Sequence, residues 1–170
     1  MPILIPSLLA QRDDRWEAIV VHDGQSDAWD HWTEFFADPR IRFRSTRDRG
    51  NLWGHDIREM VIEQEELHGR YVHLSNCDNY LVPTAVGKIN QQTSDVVAWG
   101  QIHNYIDYNV LHPRLQLGAI DLASVAVRTD LVKSIGFKWR DNEADWLWLQ
   151  EVQRRTSDWK FLDCCLGAHN

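Results

Sequence analysis

The sequence predicts one α/β domain, in which helices flank a mixed, mostly parallel β-sheet. The chain has 170 residues and 44% of them are hydrophobic, which suits a single domain with a real core. Short β-branched and aromatic runs alternate with segments of helical periodicity. Polar and acidic residues follow the predicted strands, at the edge where α/β sheets bind ligands. We therefore treat residues 1–170 as one domain.

The N-terminal part predicts alternating helices and strands. The predicted elements are a helix over 8–12 capped by Ser7, a strand over 16–22, a helix over 28–36 and a strand over 41–44. Asp23 follows the first of these strands and places a carboxylate at the carboxyl edge of the sheet. Gly24 supplies the backbone freedom that a tight turn needs there.

A glycine-bearing loop over residues 47–54 leads into a long helix predicted to end at Gly69. His55 and Arg58 fall in the first turns of this helix, just after Gly54. Free N–H groups and the helix dipole make such an N-terminus able to bind an anion. An ordinary helix start explains the same residues, so this loop alone does not decide between the two readings.

Residues 69–83 carry the most informative stretch of the chain. A short strand over 71–74 is followed by small polar residues up to Asn79. Asp78 is among them, and a carboxylate is a hard oxygen donor that can hold a divalent cation together with a phosphate. An Asx-rich turn without a ligand explains the same pattern.

The second half predicts further alternation and three more candidate residues. The elements are a helix over 83–91, a strand over 95–99, a hairpin within 100–117, a strand over 118–127, a helix over 131–135, a helix from 141 and a strand over 159–162. Asp121 interrupts an apolar run, which usually marks a site or a sheet edge. Asp145 lies in a first helical turn, where the dipole alone favours a carboxylate. By position, His169 is expected in a frayed terminus.

Composition limits the partners and the compartment. The net charge is −7, so the overall balance does not favour nucleic acid or an anionic membrane surface. The three cysteines, two of them adjacent, do not resemble a disulfide framework and indicate free thiols in a reducing cytoplasm. The first ten residues lack the pattern of a signal peptide, and no apolar run is long enough for a membrane span. We expect a soluble cytoplasmic protein.

The order of these features resembles that of GT-A glycosyltransferases, in particular family-2-like members of minimal length. Residues 7–11 and 16–26 resemble an SLLAQ…WEIIVVDDGS-type segment. Residues 50–58 are similar to the glycine loop of that family, and residues 69–83 to its GxYxxxxDxD(N)xxxP segment. Residues 143–146 are similar to its acidic segment before the last helix. The likeness spans nearly the whole chain in the right order.

Three features depart from the family pattern. The N-terminal strand is shortened or lost, because residues 3–6 run almost directly into Ser7. The Asp pair of the family is His22-Asp23 here, which keeps one carboxylate. The first Asp of the DxD motif is Asn76, so a contact to the ribose changes from carboxylate to amide.

The resemblance implies a metal-dependent enzyme that moves a sugar from a nucleotide-diphosphate sugar, a UDP-sugar, to a hydroxyl of a glycan or other acceptor, with inversion. It implies Asp145 as general base and Mn²⁺ or Mg²⁺ as cofactor. The implied ligand contacts are Asp78 and His169 for the metal, Asp23, Gly54, His55, Arg58 and Asn76 for the nucleotide, and Asp121 and Trp146 for the sugar and acceptor.

Two other functions fit parts of the sequence. A degenerate transferase fold could bind a nucleotide or glycan without turnover, which Asn76 and the short N-terminus make conceivable. A metal-dependent nucleotidyltransferase would need a basic triphosphate loop, and none is evident. Retention of both Asp78 and Asp145 favours the enzyme.

Overall fold

The computed structural model describes residues 3–50 and 53–169 and confirms the α/β class. The helices are α1 Leu4–Leu9, α2 Asp27–Phe35, α3 His55–Gln64, α4 Ala85–Asn90, α5 Thr129–Ile135 and α6 Ala144–Arg155. The strands are β1 Ala18–His22, β2 Ile41–Ser45, β3 Tyr71–His73, β4 Tyr80–Leu81, β5 Val96–His103, β6 Asn109–Leu111, β7 Val125–Arg128 and β8 Trp159–His169. Short 3₁₀ turns cover Asn104–Ile106 and Leu122–Ser124.

The strands form two sheets. β1 and β2 make a two-stranded parallel sheet, and the other six strands follow the order β3-β7-β5-β8-β4, with β6 paired to β5. Among the described residues, β5 and β8 are the only neighbouring strands of the larger sheet that run parallel, so the prediction of a mostly parallel sheet is wrong there. A parallel neighbour needs a long crossover, which α5 and α6 contribute to before β8, whereas β6 follows β5 through a hairpin and must run antiparallel.

The core lies on both faces of β5. Val96 to Trp99 are fully buried, which explains their uninterrupted apolar sequence. One face packs against α5 and α6 through residues such as Val132 and Trp148, and the other packs against α4 through Ala85 and Ile89. The six-stranded sheet is therefore a rigid platform for the residues at its ends.

The N-terminal elements differ from the prediction. Residues 4–9 form α1 where a shortened first strand was expected, and Ser7 lies inside this helix instead of capping one. The Ser7 hydroxyl donates to the carbonyl of Leu4 at 2.7 Å and accepts from the backbone N–H of Leu81 at 3.2 Å. Pro6 sits in the first helical turn, where its missing N–H costs no hydrogen bond.

Three predicted boundaries also move. α3 ends at Gln64 and not at Gly69. β5 continues through a bulge at Gly100 to His103, and β8 continues past Leu162 to His169, because the two strands pair along this whole length. The predicted hairpin is confirmed, with Ile102 opposite Val110. Among the described residues, no helix combines the length and the apolar character that a membrane crossing requires.

Candidate functional site

Arg58 is the centre of the first group of predicted site residues. Its Nη1 donates to Nδ1 of His55 at 2.8 Å and to Oδ1 of Asp145 at 3.3 Å, and its Nη2 donates to Oδ1 of Asn76 at 3.1 Å. The guanidinium carbon also lies 5.5 Å from the ring centre of Phe137. An arginine only donates, so Nδ1 of His55 accepts and its proton is on Nε2. The structure thus joins α3, the loop after β3 and α6.

Local backbone geometry brings these side chains together. Gly54 has φ of 77°, a left-handed conformation that suits glycine and turns the chain into α3. His55 begins that helix and is 5% exposed, so burial lowers its pKa, and the positive charge of Arg58 lowers it further. His55 is therefore neutral near pH 7 and holds Arg58 as a hydrogen-bond acceptor.

A second group contains His103, Asp121 and His169. One possible ligand atom from each lies within 4.8 Å of the others. His103 and His169 end β5 and β8 and are register partners in the sheet. Asp121 precedes the 3₁₀ turn before β7, and its Oδ1 accepts from the backbone N–H of Ala123 at 2.7 Å. This donor set of nitrogen and oxygen suits a divalent transition metal.

The two imidazoles in this group are not equivalent. The backbone N–H of Tyr105 donates to Nδ1 of His103 at 3.2 Å, so the neutral ring carries its proton on Nε2, 3.7 Å from Oδ2 of Asp121. Burial and the neighbouring His169 lower the pKa of His103, and Asp121 opposes this shift. Nδ1 of His169 is buried and has no hydrogen-bond partner among the described residues. His169 is therefore the ring with a nitrogen left for a ligand.

Asp145 connects the two groups electrostatically. Burial raises its pKa, Arg58 opposes the rise, Asp121 adds to it, and His55 and His169 oppose it. The side chain is still 41% exposed, so an incoming molecule can reach it. A carboxylate with a raised pKa and an open face is a stronger proton acceptor than an ordinary surface aspartate.

The other predicted residues lie around these groups. Oδ1 of Asp23 accepts from the backbone N–H of Gly50 at 2.7 Å, which ties the glycine loop to the end of β1. Asp78 is exposed in the turn before β4, and because Tyr80 pairs with Ala168 this turn lies at the His169 end of β8. Trp146 lies in the first turn of α6, is partly buried and packs against the core.

Sequence reasoning missed His103 because the burial pattern of its strand is reversed. Gln101 and His103 are 1% and 4% exposed, whereas the apolar Ile102 between them is 36% exposed. Alternation rules place the apolar side chain inside. The sequence did contain a signal, because Ile102 stands between two polar residues at the end of a strong strand. We interpreted this alternation as part of a hairpin.

Trp53 is a further residue that the sequence did not single out. Its side chain is 66% exposed, and its ring centre lies 6.2 Å from that of His55. Its φ of 50° is unusual for a bulky residue. The ring offers a flat face beside the Arg58 group.

The fold is similar to that of a solved glycosyltransferase. The crystal structure of S. aureus TarS residues 1–349 matches with a TM-score of 0.78 and 18% sequence identity. The match covers 99% of this chain and 56% of that one, so the chain spans little more than half of the structure that it matches. The sequence matches no family model and no curated protein. At this identity the likeness establishes a shared fold.

Proposed function

We propose that this chain is a glycosyltransferase that moves a sugar from a UDP-sugar to a hydroxyl of a glycan or other acceptor, with inversion at the anomeric carbon. The observation that carries the proposal is the position of Asp145, an accessible carboxylate that is bound to Arg58 and lies within electrostatic reach of Asp121 and His169. The fold shared with TarS supports the same class.

Asp145 acts as the general base in this proposal. An alcohol is a poor nucleophile, and removal of its proton during attack makes it a better one. Arg58 holds Oδ1, while no described residue donates a hydrogen bond to Oδ2. That second oxygen accepts the acceptor proton, and the raised pKa of Asp145 favours this transfer. Asp121 and Trp146 orient the donor sugar and the acceptor.

The nucleotide contacts come from the end of β1 and the start of α3. Asp23 binds the base or ribose and fixes the glycine loop through Gly50. The N–H groups after Gly54 and the cation of Arg58, with His55 behind it, face the diphosphate. Asn76, held by Arg58, replaces a carboxylate with an amide at the ribose. The loss of one negative charge there reduces repulsion of the diphosphate.

The residues present fit a divalent cation. Nδ1 of His169 is a buried nitrogen that none of the described residues hydrogen-bonds, and Asp78 is an exposed carboxylate in the turn at the same end of β8. His103 is excluded as a ligand while its Nδ1 accepts from Tyr105, because a neutral ring then carries a proton on Nε2. Asp78 and His169 would hold Mn²⁺ or Mg²⁺, which would neutralise charge on the leaving diphosphate.

The decisive test compares Asp145→Asn with wild type and with Asp141→Asn, which removes an exposed carboxylate from the same segment. UDP binding is measured by calorimetry with manganese, and sugar transfer is measured with a panel of UDP-sugars and hydroxyl acceptors. We expect Asp145→Asn to bind UDP as wild type does and to lose about a hundred- to ten-thousandfold in transfer. Asp141→Asn should keep both.

Two outcomes would count against this function. Unchanged transfer by Asp145→Asn would remove its role as base. Tight UDP-sugar binding by the wild type without turnover on any acceptor would instead favour a non-catalytic binding module.

A further inference from the structure

The hairpin between β5 and β6 carries an exposed aromatic ring at the edge of the candidate site. Tyr105 is 84% exposed, the highest value for a large hydrophobic or aromatic side chain in the described part of the chain. Its ring centre lies 4.8 Å from that of His103 and 6.1 Å from that of His169. Aromatic surface is costly to leave in water, so a free ring beside the site suits a ligand that covers it.

Tyr105 lies apart from the apolar face of the hairpin. Ile102 and Val110 are register partners and share one face, where they are 36% and 38% exposed. His103 pairs with Asn109 and faces the other way, because successive residues of a strand alternate between its faces. The ring of Tyr105 packs beside His103, so it belongs to the face that carries the candidate site.

Hydrogen bonds fix the backbone that carries this ring. The N–H of Tyr105 donates to Nδ1 of His103 at 3.2 Å, and the N–H of Tyr108 donates to the carbonyl of His103 at 3.1 Å. The side-chain amide of Asn109 donates to the carbonyl of Ile106 at 2.9 Å. A ligand that stacks on Tyr105 therefore has little of the loop to order, which lowers the cost of binding.

Hydrogen-bond acceptors lie on the same side of the site. Oδ2 of Asp121 is 3.7 Å from Nε2 of His103, and the charges of Asp121 and His169 influence the pKa of Asp145. Ionised carboxylates accept hydrogen bonds from hydroxyl groups. A pyranose has an apolar face of C–H groups and a rim of hydroxyls, so it matches an aromatic ring with carboxylates beside it.

The exposure of Tyr105 favours the acceptor sugar over the donor sugar. In the function proposed above, the nucleotide contacts at the end of β1 and the start of α3 hold the donor through its diphosphate. An acceptor brings no nucleotide, so its own ring and hydroxyls must provide the binding energy. Tyr105 lies at the rim of the site, where a molecule that comes from solvent makes its first contact.

We propose that Tyr105 is the stacking platform of an acceptor subsite, and that the acceptor is a glycan whose terminal pyranose lies on this ring. The inference rests on the proposed transferase function and narrows its acceptor to a pyranoside. The stacked sugar points one hydroxyl at Asp145, which takes the proton while the hydroxyl oxygen bonds to the anomeric carbon of the donor and UDP leaves. Tyr105 positions the acceptor and takes no part in the proton transfer.

Transfer kinetics provide the first test. The acceptors are methyl β-glucoside, methyl β-galactoside, methyl β-N-acetylglucosaminide and methyl α-mannoside, with glycerol as an acyclic comparison. For the pyranosides that wild type uses, Tyr105→Ala should raise KM about tenfold and keep kcat, because the substrate and the transition state lose the same stacking contact. Tyr105→Phe keeps the ring and should keep the wild-type KM.

A matched variant controls for the loss of any tyrosine from the hairpin. Tyr108 is 65% exposed, and none of the ring contacts among the described residues joins it to His103 or His169. Tyr108→Ala should therefore keep the wild-type KM. Thermal melting checks that the variants are folded, and Tyr105→Gln replaces Tyr105→Ala if the latter does not fold.

Direct binding separates this proposal from the transferase function. Saturation-transfer NMR in the presence of UDP and magnesium should detect a methyl pyranoside on wild type and on Tyr105→Phe, and the signal should be lost in Tyr105→Ala. Calorimetry should give the same UDP affinity for all three proteins. If wild type binds a pyranoside through Tyr105 but transfers no sugar, the proposed function fails and the sugar subsite stands.

Four results would overturn the subsite. They are the absence of pyranoside binding to wild type, equal binding and KM in wild type and Tyr105→Ala, an equal loss in Tyr108→Ala, and transfer to glycerol but to no pyranoside. A weaker affinity of Tyr105→Ala for the UDP-sugar, with an unchanged acceptor KM, would assign the ring to the donor and would also overturn the proposal.

Discussion

The imidazole rings of His103 and His169 lie parallel, with ring centres 4.3 Å apart and an angle of 4° between their planes. The pair forms because β5 and β8 end in register. The rings are stacked face to face, but their hydrogen bonding differs: of the two, His103 is the one that receives a backbone hydrogen bond at Nδ1 among the described residues. His103 is therefore held in place by the backbone, whereas Nδ1 of His169 is not used by any described residue.

The first prediction separates these two roles. His169→Ala should remove the manganese-dependent part of UDP binding, because it deletes Nδ1, which has no hydrogen-bond partner in the described part of the chain. His103→Gln should keep manganese dependence but weaken it by about tenfold, as expected for a residue that orients a ligand. Calorimetry with manganese and with chelator measures both, and His31→Ala, an exposed histidine on α2, is the control. Equal manganese dependence in wild type and His169→Ala would remove His169 from the metal site.

The second prediction concerns the pH dependence of the candidate base. Arg58 lowers the pKa of Asp145 against the effect of burial. Arg58→Gln should therefore move the acidic limb of the transfer rate to higher pH, because a carboxyl group with a higher pKa is protonated over a wider acidic range. Arg140→Gln removes a nearby arginine that pairs with Glu59 and serves as the control. If the acidic limb of the transfer rate lies at the same pH in Arg58→Gln as in wild type, a group other than Asp145 controls the rate.

The sequence predicted the elements better than their arrangement. Strong local patterns such as residues 96–99 and the stop at Gly136 were found, because burial and backbone freedom are local properties. The direction of pairing depends on which distant strands meet, so the antiparallel character of the larger sheet was not predictable from residue order.

In the candidate site, too, local features were predictable from the sequence and long-range contacts were not. Arg58 and Asp145 were each marked by position at a helix start, but their contact at 3.3 Å spans 87 residues and is a tertiary fact. The place of His169 on a long final strand likewise depends on its pairing with His103. Its role as a metal ligand stays a prediction.

The third prediction is that the fold weakens as the pH falls below about 6.5. Burial lowers the pKa values of His55, His73 and His103, so the unfolded chain binds more protons than the folded chain in this range. The stability they contribute is complete above the ordinary histidine pKa and is lost as the pH falls towards the lowered values. His73 alone accounts for at most about 1.4 kcal/mol per pH unit. Chemical denaturation from pH 8 to pH 5 measures the slope, and a flat profile would contradict the neutral, buried state of these rings.

The last prediction compares two carboxylates, Asp145 and Asp38, whose pKa values are shifted in opposite directions. Burial raises the pKa of Asp145, so its ionised form is disfavoured in the fold, and the wild type loses stability as the pH rises through that raised pKa. Hydrogen bonds from Arg40 lower the pKa of Asp38 to about 2, so its contribution is present above the ordinary value and is lost as the pH falls towards 2.

Because the two pKa shifts are opposite in direction, we expect the two Asp→Asn substitutions to have opposite effects on the melting temperature. At pH 7, Asp145→Asn should melt no lower than wild type, because it removes a carboxylate whose ionised form is disfavoured in the fold. Asp38→Asn should melt lower than wild type at pH 7, and this difference should shrink as the pH falls below the ordinary Asp pKa of 3.8, because the unfolded chain then binds a proton that folded Asp38 does not. Calorimetric melting at pH 7, 5 and 3 measures both variants. A clear loss of stability in Asp145→Asn at pH 7 would mean that its pairing with Arg58 serves the fold and not the candidate site.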